Sequence, residues 1–294
     1  MKQNKKWIPI FIAPAVILFL MVYIVPLGMV IYSSLFEYRL IPTKLEIVHN
    51  FIGLQNFFSL FTDKGFMTAF TNTLKWILIH CTIHVFLGVL LAFILYKKPH
   101  GWKFVRVVYM IPNIISQAAI GMIFVNMYNP SYGMLNTFLG AVGLERLQQN
   151  WLFSPKTAFG AVTMTWVLYA GYTTTMVLAQ ALSVDSSLVE AAQVDGANEL
   201  QTDIYIMLPM VKRMIGTTVT MAASYMLQMF SLIYITTAGG PGKMTTNLPL
   251  LLYQTSMKSN NYGYANAMGV IIIILGFICM GIINRIFRMN DDAY

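Results

Sequence analysis

Residues 8–32 read IPIFIAPAVILFLMVYIVPLGMVIY, a run of 25 residues that contains no charged side chain. A helix needs about 20 consecutive apolar residues to cross the hydrocarbon core of a bilayer, so this run is long enough to span a membrane. The apolar segment of a secretory signal peptide is shorter, about 7–15 residues, and is followed by small residues at a cleavage site. We therefore predict a membrane-spanning helix that stays in the protein.

The rest of the chain has the same character. Its 294 residues are 57% hydrophobic and only 10% charged, and the mean hydropathy is +0.64. A soluble domain of this length needs more charge to cover its surface. Backbone polar groups cannot stay unpaired in lipid, and the alternation typical of a membrane barrel is missing, so helices are expected. The predicted fold class is an all-α integral membrane protein, a single transmembrane domain over residues 1–294 with six spans at 8–32, 76–96, 107–128, 158–182, 214–236 and 264–284.

The basic residues indicate an orientation. The net charge of +8 comes from Lys and Arg in short segments between the apolar runs, whereas a nucleic-acid-binding domain clusters them on a solvated face. With a cytoplasmic N-terminus, the inside segments 1–7, 97–106, 183–213 and 285–294 carry 11 Lys and Arg in 58 residues, and the outside segments carry 8 in 99. Cytoplasmic loops are enriched in Lys and Arg, so both termini are predicted to be cytoplasmic.

The acidic residues constrain the energy source. Ion-coupled carriers and proton pumps use carboxylates inside the membrane. No Asp or Glu lies in a predicted span, which argues against one alternative class of protein, the secondary carriers. The sequence has no G-x-x-x-x-G-K-[ST], nucleophile elbow or H-E-x-x-H motif, which argues against a second alternative class, the membrane-embedded enzymes. The chain is therefore predicted not to be an enzyme. Five of the 11 acidic residues fall in one inside segment: Asp185, Glu190, Asp195, Glu199 and Asp203.

That segment, 185–209, is called the coupling loop below. Ser187 and Glu190 have the spacing of a helix capping box, and Asn198 and Gln201 have a similar form. Between the two, Asp195-Gly196 predicts a turn in which glycine supplies a positive φ. We expect two short helices at an angle, which could pass rigid-body motion from a partner to the spans. An ordinary amphipathic interfacial loop is the alternative.

The coupling loop resembles the EAA loop of permease subunits of binding-protein-dependent type I ABC importers, in the carbohydrate-uptake branch that includes maltose and multiple-sugar systems. The residues that match its pattern are Glu190, Ala191, Ala192, Asp195, Gly196, Ala197, Ile206, Leu208 and Pro209. Asp203 departs from the pattern, because that branch usually has an aromatic residue there. Segments at 51–57, 72–74, 239–241 and 263–265 are also similar to stretches of these permeases.

The resemblance implies a permease of the cell membrane that imports a sugar or oligosaccharide. Glycerol-phosphate or another polar solute is the alternative. The implied partners are a second homologous permease subunit, an ABC ATPase dimer that receives the coupling loop, and an extracytoplasmic substrate-binding protein. ATP and Mg would be bound by the ATPase, and no cofactor by this chain.

Two groups of residues are candidates for the substrate path. Trp166 matches a sugar-contacting Trp of maltose-type permeases, with Tyr169 and Tyr172 nearby, and its ring could stack on a sugar; helix packing is the open alternative. Ser224, Tyr225 and Gln228 have i, i+3 and i, i+4 spacing and so share one helix face. Polar contacts between helices are the alternative for this second group.

Histidine and cysteine do not form a recognisable site. His80 and His84 are one turn apart and could hold a metal ion, but no third ligand falls on that face, so no metal is predicted and packing near a helix interface is favoured. Cys81 and Cys279 lie in separate apolar runs and are expected to act as packing residues.

Overall fold

The computed structural model of the protein describes residues 7–41, 43–44 and 46–289. Some of the charged residues discussed above lie outside this part of the chain. They are Lys2, Lys5 and Lys6 of the segment 1–7, which contribute to the predicted orientation.

Helices make up most of the described chain. They are α1 Trp7–Phe19, α2 Val25–Ser34, α3 Gln55–Thr62, α4 Lys64–Ile79, α5 Val85–Tyr96, α6 Trp102–Ile114, α7 Gln117–Met127, α8 Met134–Ala141, α9 Ala158–Met164, α10 Gly171–Leu182, α11 Ser186–Val194, α12 Glu199–Thr202, α13 Leu208–Gln228, α14 Ser231–Thr236, α15 Leu248–Tyr253 and α16 Tyr262–Phe287. Two antiparallel strands, β1 Phe36–Ile41 and β2 Glu46–Phe51, pair from Phe36 with Phe51 to Ile41 with Glu46.

Some helices continue into one another through wide π-helical turns. Such turns insert extra backbone into a helix and are frequent at functional positions. In this chain they join α1 to α2, α4 to α5 and α12 to α13, and one follows α15; their bounds are Leu20–Ile24, His80–His84, Asp203–Met207 and Gln254–Lys258.

One compact unit comprises the described residues up to Met67 together with Leu251–Ile274. Its strand pair is held by Asn56, whose Nδ2 donates hydrogen bonds to the carbonyls of Ser34 at 2.8 Å and Phe36 at 2.9 Å. A Cβ on Gly263 would lie 2.1 Å from the Phe36 carbonyl oxygen, so only glycine allows this approach. Two of the family-like segments, 51–57 and 263–265, therefore have structural roles around the same strand.

The other compact unit comprises Thr68–Leu250 together with the described residues from Leu275 onward. In it α5 packs against α10 at Gly88, where a Cβ would lie 2.6 Å from Cγ2 of Thr173. Small residues at a helix interface let backbones approach closely, which is the usual way that membrane helices pack. Next to this contact is a buried apolar cluster made of Ala92, Leu95, Val177, Leu178, Ala181, Met207 and Val211.

The predicted spans differ in how continuous they are. Among the residues that the structure describes, three helices are long and apolar enough to cross a membrane: Phe11–Ser34, Lys64–Tyr96 and Tyr262–Phe287. They include the first, second and sixth predicted spans, and the side chains of Phe11–Ser34 are mostly exposed, as expected for a helix in lipid.

The third predicted span is bent by 99° between α6 and α7. It bends because Ile115 and Ser116 have extended backbone, and Ser116 Oγ caps α7 by accepting from the Ala119 amide. The predicted helical span 107–128 is therefore formed by two helices rather than one.

The fourth and fifth predicted spans are interrupted. The fourth consists of α9 and α10 with non-helical backbone over 165–170, and the fifth consists of α13 and α14 with a break after Gln228. Freed backbone groups at such breaks need other partners within the protein. Continuous helices were expected over 158–182 and 214–236, and the structure corrects both.

Candidate functional site

The coupling loop folds as two short helices, as predicted. α11 ends in a turn in which the Gly196 amide donates to the Gln193 carbonyl at 3.0 Å and the Ala197 amide to the Ala192 carbonyl at 2.9 Å. This pair of bonds is the Schellman motif, which requires a left-handed residue after the helix. Gly196 has φ +88°, so the predicted positive φ is confirmed.

The two predicted caps have different outcomes. Asn198 and Gln201 form a reciprocal capping box, with bonds of 2.9 Å and 2.8 Å between each side chain and the other residue's amide. The prediction of a capping box at Ser187 and Glu190 is wrong, because α11 begins two residues earlier. Its N-cap is Asp185, which accepts from the Ser187 amide at 3.0 Å. That bond lowers the pKa of the Asp185 carboxyl, since it favours the charged form.

Glu190 does not cap α11 and leaves its side chain exposed. The other matched residues of the loop also lie at or near the surface: Ala191, Asp195 and Gly196 are exposed, and Ala192 and Ala197 are half-buried. The structure brings these six together on α11 and the turn that follows it.

The end of the coupling loop leads directly into α13. Leu208 and Pro209 occupy its first turn and are exposed. Proline has no amide hydrogen and would leave the carbonyl four residues earlier without its helical partner. The π-helical turn Asp203–Met207 lies at that position and widens the backbone there, so the helix continues through the proline.

An ion-pair cluster ties the coupling loop to the end of α5. Lys97 Nζ lies 3.0 Å from Glu199 Oε2 and 2.9 Å from Asp203 Oδ2. The Asp203 side chain is 14% exposed, compared with 79% for Glu199, so Asp203 is the enclosed member of the cluster. Its hydrogen bond, followed by that of Glu199, raises the pKa of Lys97. Asp203 is the residue that departs from the family pattern, and sequence reasoning did not find its partner.

A cavity of about 500 Å³ lies among α6, α7, α10, α13 and α14, the π-helical turn His80–His84 and the turn 165–170. Four of the predicted path residues line it: Trp166, Tyr169, Tyr172 and Tyr225. The other two, Ser224 and Gln228, line a shallower depression of about 420 Å³ that shares Tyr225 with the cavity. All six predicted path residues therefore face these two adjoining spaces.

The turn 165–170 in the cavity wall is held by side chains from other helices. His84 Nδ1 donates to the Val167 carbonyl at 3.0 Å, Tyr109 donates its hydroxyl to Leu168, and Asn113 Nδ2 donates to Tyr169 at 3.1 Å. Three carbonyls that the helix break frees are thus satisfied by distant residues, as a membrane protein requires.

His84 is therefore a structural donor at this turn, which agrees with the packing role that the sequence favoured for it. Sequence reasoning missed the structural role of Tyr109 and Asn113, and only the broken helix identifies it. Among the described residues no group of three or more His, Cys, Asp or Glu is placed to hold a metal ion.

Comparisons with known proteins place this architecture. The family model "Binding-protein-dependent transport system inner membrane component" matches residues 84–289. The probable ABC transporter permease protein YurN of Bacillus subtilis is 34% identical over 93% of both chains. The multiple sugar-binding transport system permease protein MsmF of Streptococcus mutans is 35% identical over 80% of this chain and 81% of its own.

The fold also matches a solved transporter. A chain of a bacterial alginate ABC transporter, crystallised in complex with an alginate pentasaccharide-bound periplasmic protein, superposes with a TM-score of 0.83 over 99% of this chain and 98% of that one, at 21% identity. Family and fold agree: the chain belongs to the inner membrane components of binding-protein-dependent transport systems and is a multi-pass ABC importer permease, not a catalytic subunit.

Proposed function

We propose that this chain carries a neutral sugar or oligosaccharide across the cell membrane, driven by an ATPase that binds the coupling loop. The chain would form a single domain of six crossing segments with both termini in the cytoplasm. Its partners would be a second homologous permease, an ABC ATPase dimer that binds ATP and Mg, and an extracytoplasmic substrate-binding protein.

The observation that carries the ATPase contact is apolar surface on the coupling loop. Val194 is 87% exposed, Leu200 66% and Tyr205 73%, although the loop is otherwise rich in charge. Exposed apolar groups rimmed by polar residues mark sites of protein association. The Schellman turn and the capping box fix both short helices, so a partner that grips them can move them as one body.

The polarity of the cavity supports a neutral solute. Among the described residues that line it, none is Lys, Arg, Asp or Glu, and its polar groups are hydroxyls, amides, imidazoles and an indole. Polar uncharged groups with aromatic rings suit a polyhydroxylated molecule. The relative MsmF is named as a multiple sugar-binding transport system permease, which supports a sugar as the solute proposed for this chain.

An anionic solute such as glycerol-phosphate is the second candidate. The alginate transporter, which has the same fold, is described as importing an acidic polysaccharide. A partner permease could supply the positive charge that this chain's cavity does not have.

Mass spectrometry of the solute that copurifies with the cognate binding protein separates the two. A neutral saccharide is expected. A uronate, a sulfonate or a phosphate ester would replace the neutral assignment while leaving ATP-driven import intact.

Variants of the coupling loop test the ATPase contact in the complete transporter. Glu190→Lys and Gly196→Val should abolish uptake while the chain still inserts and assembles in the membrane. Gly143→Val is a matched control, because Gly143 has a similar φ of +75° and open space around it but lies outside the loop. Normal uptake in both loop variants, or equal loss in Gly143→Val, would refute the coupling role.

A further inference from the structure

Two buried polar atoms in the cavity wall have no hydrogen-bond partner. They are His80 Nδ1 and Trp166 Nε1, and they are the only such side-chain atoms within the part of the chain that the structure describes. His80 is 6% exposed and Trp166 5%, and their ring centroids are 5.0 Å apart. Buried polar groups in native proteins are nearly always bonded to protein, water or a ligand, because leaving them unpaired is costly.

His80 differs in this respect from its neighbour His84. The two rings meet edge to face at 4.0 Å, yet His84 Nδ1 is bonded to the Val167 carbonyl and His80 Nδ1 is not bonded. The backbone of Ala222 lies next to the His80 ring, and because Nδ1 is unpartnered we assign this interaction to an Nε2–H donor. A neutral imidazole that donates from Nε2 leaves Nδ1 as an acceptor.

The Trp166 indole supplies the opposite polarity. Its Nε1–H is a donor only, so two residues that line the cavity together have one unpartnered donor and one unpartnered acceptor. The complement is a group that accepts from one atom and donates to the other. A hydroxyl or a water molecule does both, whereas a carboxylate only accepts and an ammonium only donates.

We propose that Trp166 Nε1–H and His80 Nδ1 together bind one hydroxyl of the transported solute, and that water takes this position when the cavity holds no solute. The proposal rests on the proposed function and makes it more specific. Trp166 then recognises solute through its N–H edge, because a ring that is 5% exposed and packed against His80 has little open face for stacking. His80 becomes a specificity residue.

A high-resolution map of the complete solute-free transporter tests the site with water as the probe. Density is expected within about 2.7–3.2 Å of both His80 Nδ1 and Trp166 Nε1. That density should disappear in Trp166→Phe. A direct bond between the two nitrogens, or no density between them in the wild-type map, would overturn the proposal.

Uptake of maltose and its monodeoxy derivatives tests recognition in the same transporter with an unchanged binding protein. The wild type should transport one derivative about tenfold more slowly than maltose, the effect of one lost hydrogen bond that leaves a buried polar group unpaired. In Trp166→Phe and His80→Leu the ratio of the uptake rate of maltose to that of the derivative should approach one. His80→Gln, which keeps an acceptor, should retain part of the wild-type difference between the two rates.

The binding protein's own preference among the sugars is the same in every measurement, because only the permease differs between the variants. It therefore does not affect the comparison of their uptake ratios. A ratio that is the same in His80→Leu as in the wild type would overturn the proposal. If the wild-type transporter takes up no sugar at all, the proposed function fails, and the map still decides the site on its own.

Discussion

The coupling loop and the cavity wall both contain breaks in helical structure, but they satisfy the freed backbone groups differently. In the loop the partners are local: Asp185 caps an amide two residues away, and the turn at Gly196 bonds within five residues. In the cavity wall the carbonyls of the turn 165–170 are bonded by His84, Tyr109 and Asn113, which lie 56 to 83 residues away. The loop is thus held by its own sequence and the wall by tertiary packing.

Substitutions of glycine in the two regions are expected to give the largest effect that tests this difference. A Cβ on Gly171, which begins α10 after the turn, would lie 2.2 Å from the Tyr109 carbonyl oxygen and 2.7 Å from Asn113 Nδ2. Gly171→Val should therefore displace α6 and lower the free energy of unfolding by about 3 kcal/mol or more. Gly196→Ala meets open space and has only the backbone cost, about 1–2 kcal/mol.

Thermal unfolding of the purified chain in detergent measures both. Gly160→Ala is the control for the first variant. Gly160 lies in the neighbouring helix α9, and a Cβ added there would meet nothing within 4 Å. If Gly171→Val unfolded no earlier than Gly196→Ala, the wall would not depend on the close packing of α6 against α10.

The same difference explains what the sequence could predict. The capping box at Asn198 and the positive φ at Gly196 are encoded by residues next to each other, so local rules found them. The bend between α6 and α7 and the break at 165–170 fall inside apolar runs that look continuous. Nothing near Thr165 shows that Tyr109 and Asn113 will replace helical hydrogen bonds there. The sequence shows His80 and His84 as a pair one turn apart, but only the structure distinguishes the His84 ring, whose Nδ1 is bonded, from the His80 ring, whose Nδ1 has no partner.

The ion pairs with Lys97 are the exception to the local contacts of the loop, because they join Glu199 and Asp203 to a residue 102 and 106 positions away in the sequence. Lys97→Met should release the loop from the end of α5 and lower the solute imported per ATP hydrolysed by a factor of about two to five, since partly exposed ion pairs contribute at most about 1 kcal/mol. Thermal unfolding should hardly change.

Measurements of uptake and ATP hydrolysis in proteoliposomes of the complete transporter give this ratio. The exchange Lys97→Asp with Asp203→Lys should recover it, because the pair is restored with reversed charges. Lys98→Met is the matched control, since Lys98 makes no ion pair within the described chain. If the exchange did not restore the solute imported per ATP hydrolysed, or if Lys98→Met lowered it equally, the link between the loop and α5 would not be the cause of the loss in Lys97→Met.

The Asp185 cap gives the smallest expected effect. Its folded-state pKa is lowered by the bond from the Ser187 amide, so its stabilisation of α11 is present above the ordinary carboxyl pKa and is lost as the pH falls through the lowered value. At neutral pH, Asp185→Ala should make amide hydrogen exchange in α11 a few-fold faster in the assembled transporter, and Asp185→Asn should stay close to the wild type because Asn also caps helices. Exchange in α10 serves as the internal reference, because its first-turn bonds do not involve Asp185. Equal exchange in Asp185→Ala and the wild type would mean that contacts beyond the loop hold α11, and the contrast between a locally held loop and a packed wall would no longer apply.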